Sequence, residues 1–176
     1  MKYNTLEGYG ILLKRLTEDK IELVRRWRND PKIFQYMEYR KTISAEEQLE
    51  WFRKINNDNN YYFLIVVEDV EVGLINIRDI DYELKSGEPG IFIWDDYFLN
   101  SDISFRSAFV LTDFAFDVLS LKKMVIHILS DNKRAIQYNK MYGYKLSDNQ
   151  EGIYNQEYTL EKKYYQECRN KIMKYL

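Results

Sequence analysis

The order in which short apolar runs and amphipathic stretches alternate is what most restricts the fold of this chain. Ile11-Leu12-Leu13 is a strand-like run, and Thr17 is placed to cap a helix carrying Ile21, Val24 and Trp27 at helical spacing. Asp30-Pro31 breaks that helix, and Ser44-Ala45-Glu46-Glu47 is a capping box ahead of a second helix bearing Leu49, Phe52 and Ile55. The polar cluster Asn56 to Asn60 ends it. Tyr61 to Val67 and Val72 to Ile80, joined by Glu68 to Glu71, read as a hairpin of two central strands, and Ile91 to Trp94 is a third apolar run. Asp95 to Ser104 reads as a loop, Phe105 to Leu119 as a helix and Met124 to Leu129 as a buried strand. Asn132 to Met141 is helical with Gly143 as its stop, and strands follow at Tyr144 to Leu146 and Tyr154 to Leu160. The tail, 162–176, mixes Lys, Tyr and Glu without a clean apolar stripe and is expected as a frayed or surface helix. An order of β, α, α, β, β, β, α, β, α, β, β specifies an α/β (α+β) fold with a mixed sheet and helices on its faces.

Length and composition narrow the function. At roughly 150 residues per domain, 176 residues make a single domain over 1–176, with no repeat and no Pro/Gly-rich linker inside it. Lys and Arg number 26 against 28 Asp and Glu, so there is no basic excess to neutralise a phosphate backbone, and nucleic acid is not an expected partner. One Cys, Cys168, and one His, His127, exclude a disulfide framework and a Cys/His zinc site, and no metal is expected. The longest uncharged apolar run, Tyr61 to Val67, is far short of a membrane helix, and the N-terminus lacks a signal-peptide core, so a cytoplasmic protein is expected. His127 lies in a predicted buried strand and is expected to be a hydrogen-bonded core histidine.

Two segments carry a resemblance. Asp131-Asn132-Lys133-Arg134-Ala135-Ile136, followed by Met141-Tyr142-Gly143-Tyr144, resembles the Asn-x-x-Ala-Ile segment of the GNAT acetyltransferase superfamily, whose fold has this element order. Trp27-Arg28-Asn29-Asp30-Pro31, then Met37, then Ile43-Ser44, resembles the branch that acetylates amino groups of nucleotide-linked sugars, and ribosomal-protein N-terminal acetyltransferases look similar. The resemblance implies a mostly antiparallel sheet of about seven strands and acetyl-CoA as acetyl donor. It further implies a strand splayed from its neighbour, whose N–H groups bind pantetheine and polarise the thioester; Phe92, Ile93 and Trp94 occupy that strand. In the family a glycine-rich loop then holds the pyrophosphate at a helix N-terminus, because glycine lets backbone N–H groups approach phosphate. Here Leu99, Asn100, Ser101, Asp102, Ile103 and Ser104 stand in its place, leaving Asn100, Ser101 and Ser104 as phosphate partners and Asp102 as a competing cap.

The remaining candidates follow from the chemistry of amide formation. An amine attacks a thioester only when neutral, so a base is needed, and Glu38, Asp79 and then Asp95 are the candidate carboxylates. The family's general acid aligns with Asn139, which has no proton to give; Tyr138 and Tyr142 on the same helix are the substitutes. Asn132 is placed either to cap that helix or to bind the pantetheine arm. Tyr36, Met37 and Tyr39 offer apolar and aromatic surface to a nucleotide or sugar, and Arg28 a fork for its phosphates. The expected activity is direct acetyl transfer in a ternary complex to a primary amine of a nucleotide-linked amino sugar, with a protein N-terminus or small amine as the alternative acceptor. A binding module that kept the fold without catalysis is the non-enzymatic alternative. A homodimer covering the splayed edge is compatible with all of these.

Overall fold

The computed structural model describes residues 3–35, 41–99 and 101–176. The candidates Tyr36, Met37, Glu38, Tyr39 and Asn100 therefore lie outside the described residues. The elements are β1 (Thr5–Gly8), β2 (Ile11–Arg15), a 3₁₀ turn (Glu18–Lys20), α1 (Ile21–Asn29), α2 (Pro31–Phe34), α3 (Ala45–Ile55), β3 (Tyr61–Val67), β4 (Val70–Asp81) and β5 (Ser86–Ile93). They continue with α4 (Asp96–Leu99), α5 (Ile103–Asp113) running into a π-helical turn (Phe114–Val118), β6 (Lys123–Leu129), α6 (Lys133–Tyr142), β7 (Lys145–Leu146), β8 (Asn155–Glu161) and α7 (Lys162–Ile172). The strands form one sheet of eight in the order β1-β2-β3-β4-β5-β6-β8-β7. β5 and β6 run parallel, whereas β1–β2, β2–β3, β3–β4, β6–β8 and β7–β8 pair antiparallel. The strand beyond the expected seven is β1, an edge strand with a single aliphatic side chain, Leu6, whose hairpin turn is made by Tyr9 and Gly10 at positive φ.

The chain falls into two compact units, Met1–Arg78 with Ile91–Leu111, and Asp79–Gly90 with Thr112–Leu176. In the first, Ile21 and Val24 of α1 and Phe52 of α3 pack with Tyr62, Leu64, Leu74 and Trp94 in one cluster. All seven residues of β3 are buried, so both of its faces are covered. The helix boundaries follow their signals: Asp30 accepts from the Lys32 N–H at the start of α2, and Ser44 and Glu47 form the reciprocal capping box of α3. Thr17 precedes the 3₁₀ turn and makes no side-chain cap bond.

In the second unit, Met124, Ile126 and Ile128 of β6 are buried with Tyr142, Tyr144, Tyr158 and Leu160. His127 falls on the opposite phase of β6 and is exposed, its Nε2 4.0 Å from a Glu157 carboxylate oxygen, so it is not a core histidine. Gly143 ends α6 at φ 110°, the left-handed stop that the sequence predicts. The tail helix is docked rather than frayed. Tyr165 is 1% exposed and donates to Asp113 at 2.6 Å, and Arg169 reaches the same oxygen at 2.7 Å. Among the described residues no helix is long and apolar enough to cross a membrane.

Candidate active site

The strand Ser86-Gly-Glu-Pro-Gly-Ile-Phe-Ile93 is unlike the others in the sheet. β5 is an inner strand, yet its pairing with β6 consists of Ser86↔Lys123 and Gly87↔Met124 and then stops. Pro89, with no N–H to give a ladder, follows two residues later. Glu88 through Phe92 are all half-buried, in contrast to the fully buried β3. Among the described residues the β5–β6 ladder ends at Gly87↔Met124, and backbone groups of an inner strand outside a ladder can serve a ligand.

The end of that strand is fixed. Trp94 N–H donates to Val72 O at 3.0 Å, Asp95 N–H to the same oxygen at 3.4 Å, and the Trp94 indole N–H to Glu71 O at 2.9 Å. The Trp94 amide is therefore engaged within the sheet and is not the donor expected for a thioester oxygen.

The loop after β5 departs from its expected geometry as well. The Asp102 carboxylate accepts from Arg106 one turn along, at 2.8 Å from Nε and 2.6 Å from Nη2. Ser101 stands at the helix entry instead, its hydroxyl donating to Phe98 O at 2.7 Å and accepting from Ile103 N–H at 3.2 Å. Ser104 lies half-buried in the first turn of α5. A loop so arranged presents hydroxyls and one helix N-terminus to a phosphate, without a glycine cradle.

On α6, Asn132 Oδ1 accepts from Ala135 N–H at 3.1 Å, the capping use of the two weighed for it. Asn139 donates to Ala135 O at 2.9 Å, a bond inside the helix. Tyr142 is 3% exposed, its hydroxyl 2.8 Å from Thr112 Oγ1, and burial above all, followed by the neighbouring Tyr165, pushes its pKa well above the usual phenol value. These are the attributes of a core tyrosine. Tyr138, stacked 6.3 Å from Tyr142 and half-buried, is the more accessible hydroxyl. Asp79 is exposed and holds φ at 51° inside β4, a left-handed conformation that Asp tolerates better than most residues. Arg28 is half-buried in the last turn of α1, where the neighbouring Glu22 is paired with Arg25 and Arg26.

Within the first unit an open cleft of about 900 Å³ lies beside the end of β5, walled by the rings of Trp27 and Trp94, stacked 5.9 Å apart at 3°. Its rim carries Asp30, Asp69, Glu71, Asp95 and Asp96 against Lys20 and Lys32, an acidic balance. Lys32 and Glu71 were not singled out from the sequence, where each is an ordinary charged residue. Gly73, inside the strand, did carry a signal, because an isolated strand glycine marks a bulge or a close backbone approach.

Residues 11–145 match the acetyltransferase (GNAT) domain family. The chain belongs to this family. As a GNAT protein it is an acetyltransferase, and its sheet is the mixed, mostly antiparallel one that the family resemblance implies. It is 28% identical over 149 residues to "Acetyltransferase PseH" of Campylobacter jejuni, covering 82% of this chain and 91% of that one. It is 20% identical over 141 residues to spermidine N(1)-acetyltransferase of Escherichia coli K12, covering 79% and 75%. Among solved structures, apo FdhC, described as a nucleotide-linked sugar GNAT, superposes with a TM-score of 0.81 at 22% identity over 100% of this chain and 99% of that one. Spermidine N-acetyltransferase of Vibrio cholerae, in complex with CoA and spermine, gives 0.77 at 19% identity over 90% and 99%.

Proposed function

We propose that this GNAT protein transfers an acetyl group from acetyl-CoA to the primary amine of a nucleotide-linked amino sugar, by direct attack in a ternary complex. The observation that carries the donor half is the end of the β5–β6 pairing at Gly87↔Met124 together with the half-buried run Glu88 to Phe92. Acetyl-CoA supplies the acetyl group as a thioester. An N–H of β5 at Ile91, Phe92 or Ile93 polarises the carbonyl, a type of donor whose loss elsewhere costs about 2.7 to 4 kcal/mol. Asp79, exposed at its left-handed position, or Glu38 takes the amine proton as the C–N bond forms. Tyr138 protonates the sulfur as the C–S bond breaks, a modest task because a thiol of pKa about 8.5 leaves tolerably as thiolate. Ser101 and Ser104, at the entry of α5, are the described candidates for the donor phosphates, and Asn100 is the third candidate from the sequence.

The acceptor half is supported by the full-length superposition on a nucleotide-linked sugar GNAT and by the similarity to PseH. A second reading, a small amine or protein N-terminus, is favoured by the acidic rim of the Trp27–Trp94 cleft, which suits an ammonium better than a diphosphate. Release of CoA thiol from acetyl-CoA, followed with a nucleotide-linked amino sugar, spermidine and an N-terminal peptide, separates them. Turnover with the amino sugar is expected. Turnover with spermidine or the peptide alone assigns the second reading, and release with none of the three contradicts both.

A further inference from the structure

Opposite β3, Ile65 pairs with Gly73 and Val66 with Glu71, so Val72 is an extra residue on β4. A bulge of this kind bends its strand and re-aims the groups at the extra residue. The Val72 carbonyl is the one that accepts both Trp94 N–H and Asp95 N–H, where β5 ends. One residue further, a Cβ placed on Gly73 would stand 2.7 Å from Phe92 O and 3.0 Å from Ile93 Cδ1. β4 and β5 thus approach more closely here than any side chain would allow.

Trp94, at the end of β5, has every polar group occupied. Its amide reaches Val72, its indole N–H reaches Glu71 O at 2.9 Å, and its carbonyl accepts from Lys32 Nζ at 2.8 Å. Lys32 also pairs with Asp96 and stands 5.9 Å over the ring of Trp27, which stacks on Trp94. The first turn of α2 therefore reaches across to the end of β5. On its other flank the same strand has no ladder to β6 beyond Gly87↔Met124. A half-paired strand left to itself regains backbone freedom that a ligand must remove on binding.

We propose that Lys32, acting through Trp94, is a positioning residue for the acyl donor: it holds the end of β5 on β4 so that Ile91 to Ile93 are pre-ordered. The proposal rests on the donor reading given above. Lys32 does not itself touch the donor in this scheme, so its effect falls on donor KM rather than on the chemical step.

The test combines amide hydrogen exchange of the unliganded protein with steady-state kinetics for Lys32→Met, Lys32→Arg and Trp94→Phe. Lys32→Met is expected to speed exchange over residues 91–95 and raise the acetyl-CoA KM, each by about tenfold, the loss of one charge-assisted hydrogen bond. Lys32→Arg, which keeps a cationic donor, is expected to restore most of the donor KM. Trp94→Phe keeps the ring and loses the bond to Glu71, so it moves the same readings in the same direction and decides the matter if Lys32→Met fails to fold. Unchanged exchange across 91–95, or a kcat that falls while the donor KM stays in place, overturns the positioning role. A wild-type protein that binds no acetyl-CoA overturns the donor reading instead, and the exchange comparison still reports on the lock.

Discussion

Two tyrosines one turn apart on α6 divide the labour differently from what their spacing alone conveys. Tyr142 is buried with its hydroxyl on Thr112, and Tyr138 is the accessible one. Tyr142→Phe is therefore expected to cost about 1 kcal/mol of stability and leave kcat in place, whereas Tyr138→Phe lowers kcat by about tenfold or more. Thermal unfolding and initial rates on the two variants check this. Burial also makes Tyr142 a source of alkaline sensitivity. Its folded pKa lies above the unfolded value near 10, so the stability it contributes is full below about pH 10 and is lost as pH rises beyond it. Alkaline unfolding followed by tyrosine absorbance is expected to begin above that value, with a shallower pH dependence in Tyr142→Phe. At this scale the sequence was legible where a residue acts on its own backbone. Asn132 capping α6 and Gly143 ending it are local rules. It was opaque where the outcome depends on phase against a distant element: His127 sits in an apolar strand, but Met124, Ile126 and Ile128 take the inward phase.

Among the elements, the entry of α5 is the proposed seat of the donor phosphates. Its missing glycines were read from the sequence, but not the partner of Asp102, because an Asp before a helix is a cap by default and Arg106 sits a full turn away. Asp102→Ala removes a negative charge from the helix entry, and the donor KM is expected to fall by about two- to fivefold, the range of a helix-terminus charge effect. A rise in donor KM would place the phosphates away from α5. β5 itself shows why half of the site was hidden. Ile91-Phe92-Ile93 reads as any buried strand, and a missing ladder leaves no trace in side-chain pattern; only Pro89 and the flanking glycines Gly87 and Gly90 mark it. β1 escaped notice because an edge strand with one aliphatic residue has too little alternation to register.

Over the whole molecule, the element order was readable because each strand and helix carries its own period and caps, and it was sufficient to lead to the GNAT family that residues 11–145 match. The acceptor was not readable, since aromatic residues such as Tyr36 and Tyr39 suit many kinds of ligand surface. We propose that this protein takes its acyl group from acetyl-CoA bound along β5. Thermal unfolding with and without acetyl-CoA tests it most directly, because a ligand at about 100 times its Kd adds about 2.7 kcal/mol, worth about 5 to 10 °C in a chain of this size. A rise of that order with acetyl-CoA, absent with adenosine, is the predicted result; no rise at millimolar acetyl-CoA would contradict the account.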